Sequence, residues 1–99
     1  MKMRGRFHVL KIDSVSEERQ GLIFFICRCH PDLPKHKRDM LDELYRSIGG
    51  EHETALRAVM ETDDSFTKIC IDNYIASDTT LKRLRAKFYV KFPLEDMLR

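Results

Sequence analysis

The clearest periodicity in the chain runs from Pro34 to Ile48. Met40, Leu41, Leu44, Tyr45 and Ile48 recur at helical spacing while Lys37, Arg38, Asp42, Glu43 and Arg46 take the other side. This stripe predicts an amphipathic helix opening at Pro34, whose fixed φ suits the first helical position. Gly49-Gly50 ends it by offering a left-handed cap free of side-chain clash. A second helix is predicted from about Glu51 to Thr62, with acids beside the positive end of its dipole and Ala55, Leu56, Val59 and Met60 inward. Thr62-Asp63-Asp64-Ser65 then supplies a turn and a new N-cap, and Phe66, Ile69, Cys70 and Asn73 or Tyr74 continue at helical spacing. Ile75-Ala76-Ser77-Asp78 interrupts the pattern. A last helix is read from Thr79 to Phe92 with Leu81, Leu84, Phe88 and Val90 or Phe92 inward; Pro93 stops it, and Leu94, Met97 and Leu98 remain able to pack.

The N-terminal third is less regular. Ser14 or Ser16, followed by Glu17 and Glu18, predicts a helix start, and Leu22, Phe25, Ile26 and Cys29 then fall on one stripe before Pro31 ends the element. The same run of Ile and Phe also suits a strand, pairing Leu22–Cys29 with Arg6–Ile12 as a short hairpin. Helix is the preferred reading, because a lone two-stranded hairpin needs other partners. The fold class expected is therefore mainly α: about five short helices in one domain, 1–99. Within it, 1–33 serves as an N-terminal arm and packing segment and 34–93 as the helical core.

Charge sharpens this picture. Eighteen basic and sixteen acidic residues leave a net charge of +2, but they are segregated. Acids gather between Glu51 and Asp64. Bases gather at Lys2, Arg4, Arg6 and Lys11, at Lys35, Lys37 and Arg38, and above all at Lys82, Arg83, Arg85, Lys87 and Lys91. One face turned toward a polyanion fits that asymmetry, although a solvated helix face has the same composition. Three cysteines and no apolar leader predict a reduced, cytoplasmic protein. The longest apolar run, Leu22 to Cys27, is far short of the roughly twenty residues that span a bilayer.

The basic cluster falls on a recognisable layout. A helix-turn-helix needs a small or apolar residue in its first helix, a tight turn, a polar N-cap, and apolar residues in the first turns of the second helix. Ile69-Cys70-Ile71, then Ser77, and then Thr80, Leu81 and Leu84 meet these needs, with either Cys70 or Ile71 at the small packing position. In the turn Asn73-Tyr74-Ile75, Asn73 is the residue suited to a left-handed backbone. In this layout Asp78, Thr79, Lys82 and Arg83 reach base edges, Arg83 best matching guanine with its fork. Ser77, Thr80, Arg85, Lys87 and Lys91 meet phosphates. Tyr89 is read as the one aromatic of that helix placed for a surface contact. One helix reads few base pairs, so a homodimer or a neighbouring DNA-bound protein is the expected partner on double-stranded DNA.

From Pro34 to Pro93 the chain resembles small helix-turn-helix proteins of phages and conjugative elements, which are similar in turn to DNA-binding region 4 of sigma-70 factors. The residues that carry the resemblance are Ile48-Gly49-Gly50-Glu51, Ala55-Leu56, Thr62-Asp63, Ile69-Cys70, Tyr74-Ile75-Ala76-Ser77 and Thr80 to Tyr89. It implies sequence-specific DNA binding in transcriptional control and says little about residues 1–33.

Other chemistry is thinly represented. Cys27, Cys29, His30 and His36 are possible zinc ligands, but Cys-x-Cys-His is not a finger or ribbon spacing, and on a helix Cys27 and Cys29 point about 200° apart. His52-Glu53 begins like a zincin motif, yet Leu56 stands where a second histidine belongs. No catalytic, metal or cofactor site is expected, nor any membrane partner. The alternative to DNA binding is a small helical protein-interaction module or inhibitor that presses Leu22 to Ile26 on a target and whose basic helix is ordinary surface.

Overall fold

The computed structural model describes residues 9–99, and every regular element among them is helical. The elements are α1 (Glu17–Arg28), a 3-10 turn at His30–Asp32, α2 (Lys35–Gly49), a second 3-10 turn at Gly50–His52, α3 (Glu53–Glu61), α4 (Phe66–Asp72), α5 (Asp78–Lys91) and α6 (Leu94–Met97). The alternative hairpin is not formed: Leu22 to Arg28 lie in α1, Cys29 caps it, and residues 9–12 make no strand. The rest of that hairpin, Arg6 to His8, lies outside the described residues, as do Lys2 and Arg4 of the N-terminal basic cluster.

α1 starts at Ser16, whose hydroxyl accepts from the amide of Arg19 at 3.2 Å. Its buried stripe differs from the expected one. Ile23, Phe24, Ile26 and Cys27 are buried, while Leu22 and Phe25 remain partly exposed. The stripe begins at Gln20, which is fully buried one turn before Ile23 and Phe24. A polar residue at its first position hides it from a hydrophobic count, and the apolar run that follows has no polar side to betray its orientation.

Gln20 is inside because it binds main chain. Its Oε1 accepts from the Leu10 amide at 2.8 Å, and its Nε2 donates to the carbonyls of Leu10 at 2.9 Å and Val15 at 3.1 Å. One side-chain amide thus satisfies three backbone groups and ties the segment before α1 to the core, with Val15 buried beneath it.

α2 ends where Gly50 takes a φ of 53°, open to a residue without a side chain. α3 then packs against α1, α2, α4 and α5 through Ala55, Leu56, Val59 and Met60, all buried as expected. α2 and α5 are joined by Tyr45 and Phe88, whose rings stack at 4.9 Å, with Phe92 tilted against Phe88 at 5.6 Å. Phe92 rather than Val90 is therefore the inward residue at the end of α5. In the tail Leu94 and Met97 are buried, but Leu98 stays exposed. Arg19 holds α6 to α1 through Glu95 at 2.7 Å.

Along the edge of the core runs a chain of charges. His30 Nε2 meets Asp42 at 2.8 Å, Arg57 meets the same carboxylate at 2.9 Å, and Arg57 reaches on to Glu53 and Glu61 at 3.4 and 3.5 Å. The Arg57 guanidinium also lies over the Tyr45 ring at 4.4 Å. Burial alone would raise the pKa of Asp42, but hydrogen bonds from His30 and Arg57 hold its carboxyl below the usual range. Glu61 goes the other way: burial outweighs its partners and pushes its carboxyl up.

Two expectations follow. Gln20→Ala leaves the Leu10 and Val15 groups unsatisfied and should destabilise the fold by about 2–4 kcal/mol in urea denaturation, with loss of hydrogen-exchange protection at the Leu10 amide. For Glu61 the sign follows from the raised pKa: the unfolded chain ionises first, so stability carried by neutral Glu61 is present at acid pH and lost as pH rises through the folded value. Glu61→Gln should therefore gain on the wild type in unfolding free energy as pH goes from roughly 4 to 7. An unchanged difference across that range would show that Glu61 titrates alike in both states.

Candidate nucleic-acid interface on helix α5

The pair α4 and α5 is set by caps at each end of their connection. Ser65 opens α4, its hydroxyl accepting from the Lys68 amide at 3.0 Å. α4 closes after seven residues: the Asn73 side chain donates to the Ile69 carbonyl at 2.8 Å, the Tyr74 amide donates to Ile71 at 3.2 Å, and the Ile75 amide donates to Cys70 at 2.9 Å. The last two bonds form a Schellman closure, which demands a left-handed residue between them. That residue is Tyr74, with φ 56°, and not Asn73, whose φ is −107°. Asn73 serves instead as a side-chain cap. Placing a bulky residue there costs about 1–2 kcal/mol relative to glycine, and Tyr74 is 96% exposed, so no burial offsets the cost.

α5 begins behind Ser77, which holds the N-cap position through its backbone, its carbonyl accepting from the Thr80 amide at 3.3 Å. The hydroxyl of Ser77 makes no capping bond, contrary to the expected role. Ile69 and Cys70 of α4 and Leu81 of α5 are buried, while Ile71 is 68% exposed, which fixes Cys70 as the small packing residue. α3 lies against both helices.

The nine sequence-derived site residues separate into three groups. Thr79, Thr80, Arg83, Lys87 and Lys91 lie exposed on the outward side of α5. Arg83, Lys87 and Lys91 follow one another at four-residue spacing, a row with steps of about 6 Å. None of the three has an ion pair among the described residues. Asp78 and Lys82 form a shoulder, paired with each other at 3.3 Å beside the N-cap Ser77. Arg85 turns the opposite way, half-buried, with its guanidinium over the Phe66 ring at 4.9 Å. Tyr89, read from sequence as a surface aromatic, is buried, and its hydroxyl is pushed up in pKa by that burial. Helix geometry places it one turn from Arg85 on the inward arc. Val90, by contrast, is exposed among the cations.

Acids elsewhere are largely occupied. Asp63 meets Arg28 of α1 at 2.6 Å, Asp64 and Asp72 meet Lys68, and Glu61 meets Arg57. Cys27 lies in the core, where burial pushes its thiol up, while His30 is held by Asp42 and His36 is exposed. Among the described residues no three histidine, cysteine or acidic side chains gather as a metal-binding group, and no helix is long and apolar enough to cross a membrane. No protein-family model, curated protein or solved structure matches the chain.

Replacing Tyr74 tests the strain at the turn. Tyr74→Gly should raise stability by about 0.5–1 kcal/mol, the relief of the left-handed tyrosine exceeding the extra chain entropy of glycine. A loss of stability in thermal or urea unfolding would mean that the tyrosine ring contributes a contact that its exposure conceals.

Proposed function

We propose that the outward side of α5 binds double-stranded DNA, and that the chain is a sequence-specific DNA-binding protein of transcriptional control in which α4 and α5 act as a helix-turn-helix. The observation that carries this reading is the row Arg83, Lys87 and Lys91, three exposed cations with no acidic partner on a helix whose one acid, Asp78, is taken by Lys82. Cations left unpaired in a row are what counterion release from phosphates rewards. Thr79 and Arg83, near the start of the helix, are the base-reading residues, with Asp78 and Lys82 beside them. Ser77, Thr80, Lys87 and Lys91 contact phosphates. Arg85, turned onto Phe66, takes no part.

A second DNA-bound protein, a copy of this chain or another, completes the recognition. Leu22 and Phe25, each 38% exposed and one turn apart on α1, offer an apolar face for a homodimer or a neighbouring DNA-bound protein. These two residues are also all that remains for the protein-interaction alternative, since Ile23, Phe24 and Ile26 are committed to the chain's own core. The setting in a mobile element rests on the resemblance described above.

Fluorescence anisotropy with labelled duplexes checks the proposal. Affinity should fall linearly with the logarithm of salt concentration, and Lys87→Ala should reduce that slope by about 1 while weakening all sequences alike. Arg83→Ala should cost about 1–3 kcal/mol on a selected site and relax its sequence preference. Absence of binding to random and selected duplexes at low salt would end this reading.

A further inference from the structure

Between α4 and α5, on the flank of α5 away from the cation row, lies an open crevice of about 400 Å³. Val59, Phe66 and Ile69 give it an apolar wall, and Ser65, Thr67 and Arg85 add polar groups. Its charged lining is Asp64, Asp78, Lys82 and Arg85, but these four do not all pair with one another. Asp78 is paired with Lys82 at 3.3 Å, and Asp64 reaches Lys68 at 3.7 Å, a lysine that it shares with Asp72 at 2.6 Å. Arg85 pairs with neither aspartate. Its Nε is buried without a hydrogen-bond partner, and its guanidinium lies over the Phe66 ring at 4.9 Å. Burial lowers the pKa of this guanidinium, which expresses the cost of holding the charge there.

A half-buried guanidinium lacking a carboxylate is costly, and the chain supplies no acid to relieve it. None of the described acids pairs with Arg85, and Met1 to His8 contain no Asp or Glu. A planar guanidinium that lies against an aromatic ring and lines an open crevice can donate to two oxygens of one group. The cavity is of the size that holds a small ligand and combines an apolar wall with a guanidinium that has no carboxylate partner. From this arrangement we infer that the crevice binds a small organic monocarboxylate, its carboxylate on Arg85 and its apolar body against Phe66, Ile69 and Val59. One guanidinium without a carboxylate partner matches one carboxylate. A dianion such as phosphate brings a second charge toward the aspartates and leaves the apolar wall uncovered.

Benzoate is the probe, with neutral benzamide as its isostere and inorganic phosphate as the anion without an apolar body. Proton–nitrogen correlation spectra of the full chain, recorded without DNA, are the readout. Benzoate should give saturable shifts at the amides of Ser65 to Ile69 and at the Arg85 Nε–H, and bind at least ~10-fold more tightly than benzamide or phosphate. Arg85→Met should bind benzoate no better than benzamide. Should that variant not fold, the benzoate–benzamide comparison in the wild type decides alone. No saturation by ~50 mM benzoate, equal binding of benzamide, or equal binding of phosphate would each overturn the assignment. Because the outward row of α5 plays no part in this titration, its outcome is separate from that of the DNA-binding proposal.

Discussion

Everything in the fold depends on α3. With only nine residues it packs against α1, α2, α4 and α5, and it manages this because Ala55, Leu56, Val59 and Met60 cover more than one side of so short a helix. Ala55 is fully buried, so a neighbouring helix is held close where a longer side chain would push it away. The flank that remains carries Glu53, Arg57 and Glu61. It closes the core with charge instead of hydrocarbon, Arg57 capping the Tyr45 ring and meeting Asp42 of α2. α4 rests on it, and α5 is held between it and α2. The direction in which the exposed side of α5 looks is therefore decided by α2 and α3 together, on the far side of the helix from the cation row.

The second constraint is main-chain satisfaction before α1. Residues 9–12 enter the core edge without a strand partner, and their backbone groups must be paired if they are to leave water. Gln20 does for Leu10 what a neighbouring strand would do, accepting from its amide and donating to its carbonyl. This explains why an alternating apolar stretch, Val9 and Leu10 to Ile12, tempts a strand assignment and yet forms none among the described residues. Local pattern and tertiary pairing are separate conditions, and a glutamine meets the second by other means.

How far the sequence was legible follows from the same physics. α2, α3 and α4 are readable because their apolar residues alternate with charges at helical spacing and their ends carry Pro34, Gly50 and Ser65. α1 was readable as a helix but not in its orientation, since Leu22 to Cys27 is apolar all round and its true stripe begins with a polar residue. The turn was misread at Tyr74 because the Schellman bonds count residues from the helix end, and the count lands one place beyond the asparagine that preference would choose. Of the candidate site, Thr79, Thr80, Arg83, Lys87 and Lys91 do share one exposed side. The inward turn of Arg85 was not legible, because it depends on Phe66 waiting across the gap.

α5 shows why residue type is a poor guide to face. Its fourteen residues bury Leu81, Phe88 and Tyr89, draw Arg85 partly inward, and expose Val90. A hydrophobic tally sees a helix with little amphipathic character. The physical division is sharper, because it is made by partners: the inward arc meets α2, α3 and α4, and the outward arc is exposed. On the inward arc Arg85 keeps its charge against an aromatic ring and a crevice. On the outward arc Arg83, Lys87 and Lys91 keep theirs in water. Solvation satisfies the outer cations at no structural cost, so their alignment and want of acidic partners are not consequences of folding. Arg85 differs, since the fold itself bears the desolvation of its guanidinium. Two kinds of unpaired cation thus stand on one helix, and only the buried kind makes a demand that the chain leaves unmet.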